Sequence, residues 1–233
     1  MRTLVRLVVV TATVFALSAS ADAAERFRFQ GSSKGADAFF TDCPDRPRNV
    51  TCSFSDIFAS RFKGKDNGTH YAGAGVFVDK LTVRFDGNSR GTVIAAKFGF
   101  AETEVSVRGR LAKASVDTVV PLCDSEGGGC VNTRVKADWR ATSGRETFKE
   151  RFIDTFGGTR IEFKGTFTSR DASVNASVGG TNLGPADFAT ITSSRFTQVI
   201  ECEDTCDGFG PELEGVGDTT TASPREIILS HAR

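Results

Sequence analysis

Two histidines, six cysteines and a spread of carboxylates are the residues of this chain whose types could do chemistry. A nucleophilic hydrolase needs a serine or cysteine, a base to take its proton and an acid to orient that base, and histidine is the usual base. Only His70 and His231 occur in 233 residues. His231 lies in a polar stretch with little to order it, so a triad would rest on His70 in Asn67-Gly68-Thr69-His70-Tyr71. No G-x-S-x-G elbow accompanies it. Two distant histidines cannot complete a tetrahedral zinc set, and H-E-x-x-H is absent. Neither a Walker A sequence nor a G-x-G-x-x-G cradle is present. Catalysis through two carboxylates needs only that they stand roughly 5–10 Å apart. With 29 Asp and Glu in the chain, the sequence neither excludes nor locates such a pair.

The cysteines fall into three close pairs, Cys43 and Cys52, Cys123 and Cys130, Cys202 and Cys206, with eight, six and three residues between partners. Their chemistry depends on compartment. Met1 to Ala23 has the order of a secretory signal peptide: Arg2 and Arg6, then apolar Leu7 to Leu17, then Ala21-Asp22-Ala23 as a small-residue cleavage site. An exported chain meets an oxidising environment, so the cysteines are expected to be disulfides rather than metal ligands or nucleophiles. Local pairing is the simplest of the 15 connectivities that six cysteines allow. Cys202 is the exception, since a three-residue spacer is tight and a distant partner stays open. No later stretch reaches the roughly 18 apolar residues of a membrane-spanning helix.

Charge is uneven. Residues 25–200 carry 25 Lys and Arg against 20 Asp and Glu, whereas residues 201–224 carry seven acids and no base. The acids of that stretch (Glu201, Glu203, Asp204, Asp207, Glu212, Glu214, Asp218) are hard ligands of the kind calcium takes, but their spacing does not meet the EF-hand pattern. A solvated tail is the simpler expectation. Cations recur on the polar phase of the strands: Arg26 and Arg28, Lys80 and Arg84, Arg108 and Arg110, Arg134, Lys136 and Arg140, Lys149 and Arg151. If several of these strands are neighbours, their face suits an anionic envelope polymer. Without interleaved Tyr or Trp to stack bases, nucleic acid is not an expected partner. Sequons at Asn49, Asn67 and Asn175 matter only in a glycosylating host, and the Ala, Arg, Gly, Thr and Val bias points to a bacterial one.

The elements that must hold these residues are strands. Apolar and polar residues alternate with period 2 in Val135, Ala137, Trp139 and Ala141 against Arg134, Lys136, Asp138 and Arg140. The same pattern runs through Phe27 and Phe29; Leu81, Val83 and Phe85; Val105, Val107 and Leu111; Ile161, Phe163 and Phe167; Val174, Ala176 and Val178. The 20 phenylalanines are expected mostly in the buried phase, as is Trp139. Turn residues separate the runs, as at Asp86-Gly87-Asn88, Gly127-Gly128-Gly129, Gly157-Gly158 and Gly179-Gly180. An echo at an offset of 67 residues, Arg84-Phe85 and Gly91-Thr92 against Arg151-Phe152 and Gly158-Thr159, suggests two related hairpins.

From Leu111 through Cys123, Cys130 and Val135-Lys136-Ala137-Asp138-Trp139 to Phe152, Thr166 and Ser193-Ser194-Arg195-Phe196, the chain resembles small secreted β-rich proteins of actinobacterial type. The likeness covers about half of the exported chain and implies export and β structure, without activity or site residues. The expected protein has a signal peptide (1–23), one all-β domain (24–202), a disulfide-stapled antiparallel β-sandwich or β-barrel, and an acidic tail (203–233). It is expected to be secreted, without cofactor or metal, and to bind an extracellular ligand or envelope polymer without catalysis. Two alternatives stand beside that: a polymer hydrolase using paired carboxylates, and a barrel holding a small lipophilic ligand. A partner-binding role would instead need an exposed apolar patch or a rigid loop, for which Pro44 to Arg48, between Cys43 and Cys52, is the candidate.

Overall fold

The computed structural model describes residues 26–87, 91–125, 127–156 and 158–202. Alternation along these residues becomes eleven strands, every ladder antiparallel, with no helix among them. They are β1 (Arg26–Thr41), β2 (Val50–Asp66), β3 (Thr69–Phe85), β4 (Gly91–Glu102), β5 (Ser106–Arg108), β6 (Lys113–Asp124), β7 (Cys130–Ala141), β8 (Glu146–Phe156), β9 (Thr159–Val178), β10 (Thr181–Asn182) and β11 (Phe188–Cys202). The signal peptide and the acidic tail (203–233), with His231, lie outside the described residues.

Strand pairing returns on itself. β1 pairs with β2 and β11, and the ladder continues β2, β3, β4, β6, β7, β9 and back to β11, so eight strands form a ring. Closure satisfies the backbone groups that an open sheet would leave at its edges. Its weakest joint is β4 to β6, held by two register pairs, Lys97 with Asp124 and Phe98 with Cys123.

One phase of every ring strand points inward. Ile57, Val76, Val78, Val135 and Ile191 fill the space there, and Ala36, Ala38, Ala59, Ala137 and Ala176 leave room for Trp139, which is 1% exposed. The indole has one polar atom, and Nε1–H donates to the Asp37 carbonyl at 3.1 Å, so burying the ring strands no donor. The expected burial of Val135, Ala137 and Trp139 holds. The expectation for the phenylalanines does not. Phe40 alone among them belongs to the ring's core cluster, and Phe62, Phe77, Phe98, Phe100, Phe148 and Phe152 are exposed on the outer phase. Alternation marks which residues share a face, and Phe occupies the face that the ring does not enclose.

Five ring strands outrun the ring, and β8 joins them at one edge. β9 has 20 residues; its second half pairs with β7 inside the ring, while its first half pairs with β8 on one side and β11 on the other. β8, β9, β11, β1, β2 and β3 therefore continue as a single layer, here termed the platform, five strand spacings or about 24 Å across. The only register shift on its strands is at Thr82/Val83, well inside the ring, so phase is conserved across the platform. The ring's inner phase becomes one platform face and its outer phase the other.

Two of the expected disulfides are present. Cys43–Cys52 clamps the loop after β1, where Asp42 Oδ1 also accepts from Ser53 N at 2.6 Å, and Cys43, Cys52, Val50, Val83 and Phe85 form a small cluster beneath it. Cys123–Cys130 joins cross-strand partners at the β6–β7 hairpin. Cys202 is disulfide-bonded as well, and Cys206 lies outside the described residues. The segments of the internal echo form the β3–β4 and β8–β9 hairpins. Asn49, Asn67 and Asn175 are all exposed.

Candidate functional site

The inner-phase face of the platform is built from cations and hydroxyls. Register places Lys149, Thr166, Arg195, Ser32, Lys63 and Ala72 side by side across the six strands. The next row holds Arg151, Lys164, Thr197, Gln30, Lys65 and His70, and the row toward the ring holds Thr147, Thr168, Ser193, Lys34, Arg61 and Ala74. At the far end stand Arg28, Arg26 and Arg160 with the face's two acids, Glu162 and Glu201. Rows are about 7 Å apart and neighbours within a row about 4.8 Å apart.

Those two acids neutralise only one end. Glu201 bridges Arg160 at 2.8 Å and Arg26 at 3.2 Å, while Glu162 meets Lys164 at 2.8 Å, Arg151 at 3.3 Å and Arg160 at 3.8 Å. The hydrogen bond from Lys164, helped by the positive charge of all three partners, holds the Glu162 carboxyl below its ordinary range. Arg28, Lys34, Lys63, Lys65, Lys149 and Arg195 are exposed and have no acidic partner among the described residues. Lys34 and Arg61 are direct cross-strand partners of like charge, and Arg61 is held by donating Nη2–H to the Val107 carbonyl at 3.2 Å.

Of the cations anticipated from alternation, Arg26, Arg28, Lys149 and Arg151 belong to this face. Lys34, Arg61, Lys63, Lys65, Arg160, Lys164 and Arg195 belong to it too and were missed. Their signal was the alternation Arg61-Phe62-Lys63-Gly64-Lys65, readable as a strand with a basic phase. Lys80 and Arg84 lie on the ring part of β3. A separate row on the outer face of the ring brings Arg108, Lys113 and Arg140 together beside shallow depressions of about 220 and 330 Å³ that share Asp138 and Arg140. Arg134 is paired there with Asp117 through Nε at 3.0 Å.

The opposite platform face is aromatic. Phe148 stacks on Phe167 at 4.9 Å and Phe152 on Phe163 at 5.1 Å; Phe163, Phe196, Phe29, Tyr71 and Phe62 then follow with successive centroids 5.3–6.1 Å apart. Glycines sit opposite the rings. Phe196 lies between Gly165 and Gly31, Tyr71 faces Gly64 and Phe62 faces Gly73. A Cβ on Gly31 would come 2.7 Å from the Phe196 ring, so the missing side chain is what lets that ring lie flat.

Carboxylates do meet, on the ring's outer face. Asp56 and Asp79 are cross-strand partners, and the Asp37 and Asp56 side chains are hydrogen-bonded to each other among Phe39, Phe58 and Phe98. Burial raises Asp37, burial with the charges of Asp37 and Asp79 raises Asp56 further, and burial pushes Asp79 up to about 6. Thr190, the register neighbour of Asp37, is 7% exposed and its Oγ1 has no partner among the described residues. Burial and the like charge of the neighbouring carboxylates both disfavour ionisation of Asp56. His70 is exposed beside the β2–β3 turn, opposite Lys65. No three His, Cys, Asp or Glu among the described residues are arranged to hold a metal ion; apart from Glu201, the acids considered for calcium lie outside them.

The class these observations define is an all-β, disulfide-bonded ring carrying a single-layer platform with one basic and one aromatic face. No protein-family model matches the chain, and no curated protein and no solved structure matches it either.

Proposed function

We propose that the protein is an extracytoplasmic binding domain that holds an anionic polymer on the basic face of its platform. The observation that carries this is the cross-strand register, which gathers cations from β8, β9, β11, β1 and β2 onto one open face with only Glu162 and Glu201 among them. An open sheet face about 24 Å wide suits an extended chain better than a small molecule, which prefers a concave site. Ser32, Thr166, Thr168, Ser193 and Thr197 stand between the cations and offer hydrogen bonds to sugar or polyol hydroxyls. Export rests on Met1 to Ala23, and the disulfides are consistent with an oxidising compartment.

The two other readings have less to draw on. The ring interior is filled by side chains such as Trp139 and Ile57, which leaves a lipophilic ligand little room. Polymer hydrolysis by two carboxylates needs a gap for the glycosidic bond, and Asp37 and Asp56 have closed theirs with a hydrogen bond.

Binding is tested with the secreted chain and an immobilised polymer of repeating phosphate or uronate groups. Five cations engaged would give an affinity loss of about 100-fold between 50 and 200 mM salt, by the counterion-release slope of roughly 0.7 per charge. The variant Lys63→Gln/Lys65→Gln/Arg195→Gln is expected to lose that binding. Retention by the variant, or binding indifferent to salt, overturns the reading.

A further inference from the structure

We propose that the aromatic face of the platform is covered by the same face of a second copy of this chain, the two platforms packing as the layers of a sandwich. A sheet with one apolar face is stable when that face is buried against another element. Here no described strand lies over it. β8, at the platform's edge, packs on β9, and its Phe148 and Phe152 remain 42% and 45% exposed. Gly31, Gly64 and Gly73 stand opposite the rings and let them lie against the sheet, and sheets packed face to face meet at a separation of about 10 Å.

Size and charge select the partner. Ile200, in the row farthest from the ring, is already buried; the remaining five strand spacings by three rows give roughly 500 Å² per copy, about 1,000 Å² in all, the low end of specific interfaces and suited to a weak, micromolar pair. Among the described residues the face has no cation, and its acids, Glu146, Glu150 and Asp154 on β8 and Asp66 on β2, lie along its edges, so its aromatic middle offers a strongly charged partner nothing complementary. An acidic partner would go to the opposite face. An identical aromatic face whose middle carries no charge is complementary to itself, and two-fold symmetry closes the pair. Joining copies through the β8 edges instead would set like charges opposite, because two-fold pairing centred on Lys149, Glu150 or Arg151 places that residue against itself.

This arrangement turns both basic faces outward and makes a bivalent binder, but it does not depend on polymer binding being right. Sedimentation velocity of the secreted chain from 1 to 200 µM tests it. Expected are a dimer in the micromolar range, a Phe148→Ser/Phe152→Ser variant that is monomeric or associates at least tenfold more weakly, and an Ile153→Ser variant that dimerises normally. Ile153 is just as exposed, at 51%, on the same strand but the other face, so it controls for damage to β8. A wild-type monomer throughout that range overturns the proposal, as does equal loss of association in Ile153→Ser. Salt-dependent polymer binding by the monomeric variant would show that the two proposals stand or fall separately.

Discussion

The ring and the platform share the strands β9, β11, β1, β2 and β3, yet the same phase of a strand means opposite things in the two. On β1, Ala36 and Ala38 are fully buried, while Lys34, two residues earlier on the same phase, is exposed. On β2 the change falls between Ala59 and Arg61. Nothing in the backbone marks the boundary, since register runs through it unbroken. What changes is the far wall. Where β4, β6 and β7 face these strands across the ring, the inner phase is dry, and where those strands stop, it is wet.

If enclosure is the difference, the largest stability losses belong to the ring. Trp139→Ala is expected to cost about 3–5 kcal/mol, the range for deleting a large buried aromatic, whereas Phe152→Ala should cost under about 1 kcal/mol in monomeric protein, given its exposure. Urea denaturation of the two variants at a concentration too low for association measures the contrast, and similar losses would erase the distinction between the regions.

Asp79 on the ring's outer face gives the next effect, with a sign set by burial. Its folded pKa of about 6 exceeds the ordinary 3.8, so the folded state holds the proton more tightly. Its contribution to stability is then full below about pH 4 and is lost as pH rises through 6. Asp79→Asn should therefore be more stable than wild type at pH 7, by on the order of 1–3 kcal/mol, with the advantage vanishing toward pH 4. Chemical denaturation at pH 4, 5.5 and 7 reads this directly, and a pH-independent difference would mean that desolvation of Asp79 is not its cause.

How far the sequence showed all this follows the same boundary. Period 2 in Val135 to Ala141 announced the ring wall, and the spacing of Cys43 to Cys52 and of Cys123 to Cys130 announced their bridges. The expectation that the phenylalanines lie mostly in an interior failed because alternation fixes a shared face without saying whether anything covers it. The basic face failed in part for another reason: Lys63 and Arg195 are 132 positions apart, and only register puts them in one row. Asp37, Asp56 and Asp79 come from three strands in the same way.

Glycines extend the comparison to smaller effects. A Cβ on Gly99, at the β4–β6 joint of the ring, would collide with the Pro121 carbonyl, a backbone atom fixed by the ladder. On Gly31 of the platform it would meet the edge of the Phe196 ring, which can rotate away. Gly99→Ala should cost about 1–3 kcal/mol as an overpacked site and Gly31→Ala less than half of that. Thermal unfolding ranks them, and the reverse order would mean that the platform is the more rigid region.

Substituting a platform cation should have the smallest effect and the opposite sign. Lys34 and Arg61 face each other directly with like charge, and neither has an acidic partner among the described residues. Such a pair destabilises a ladder by roughly 0.2–1 kcal/mol, so Lys34→Gln should stabilise the protein by a few tenths of a kcal/mol. Screening identifies the cause: a gain present at 20 mM salt should fade at 1 M, where the Debye length is about 3 Å. Every ring substitution above that removes packing loses stability, while this one gains it, because Lys34 stands where the far wall has ended and only its charged neighbours remain. A loss of stability in Lys34→Gln that persists in high salt would place Lys34 in a packed environment and move the ring's boundary outward by one row.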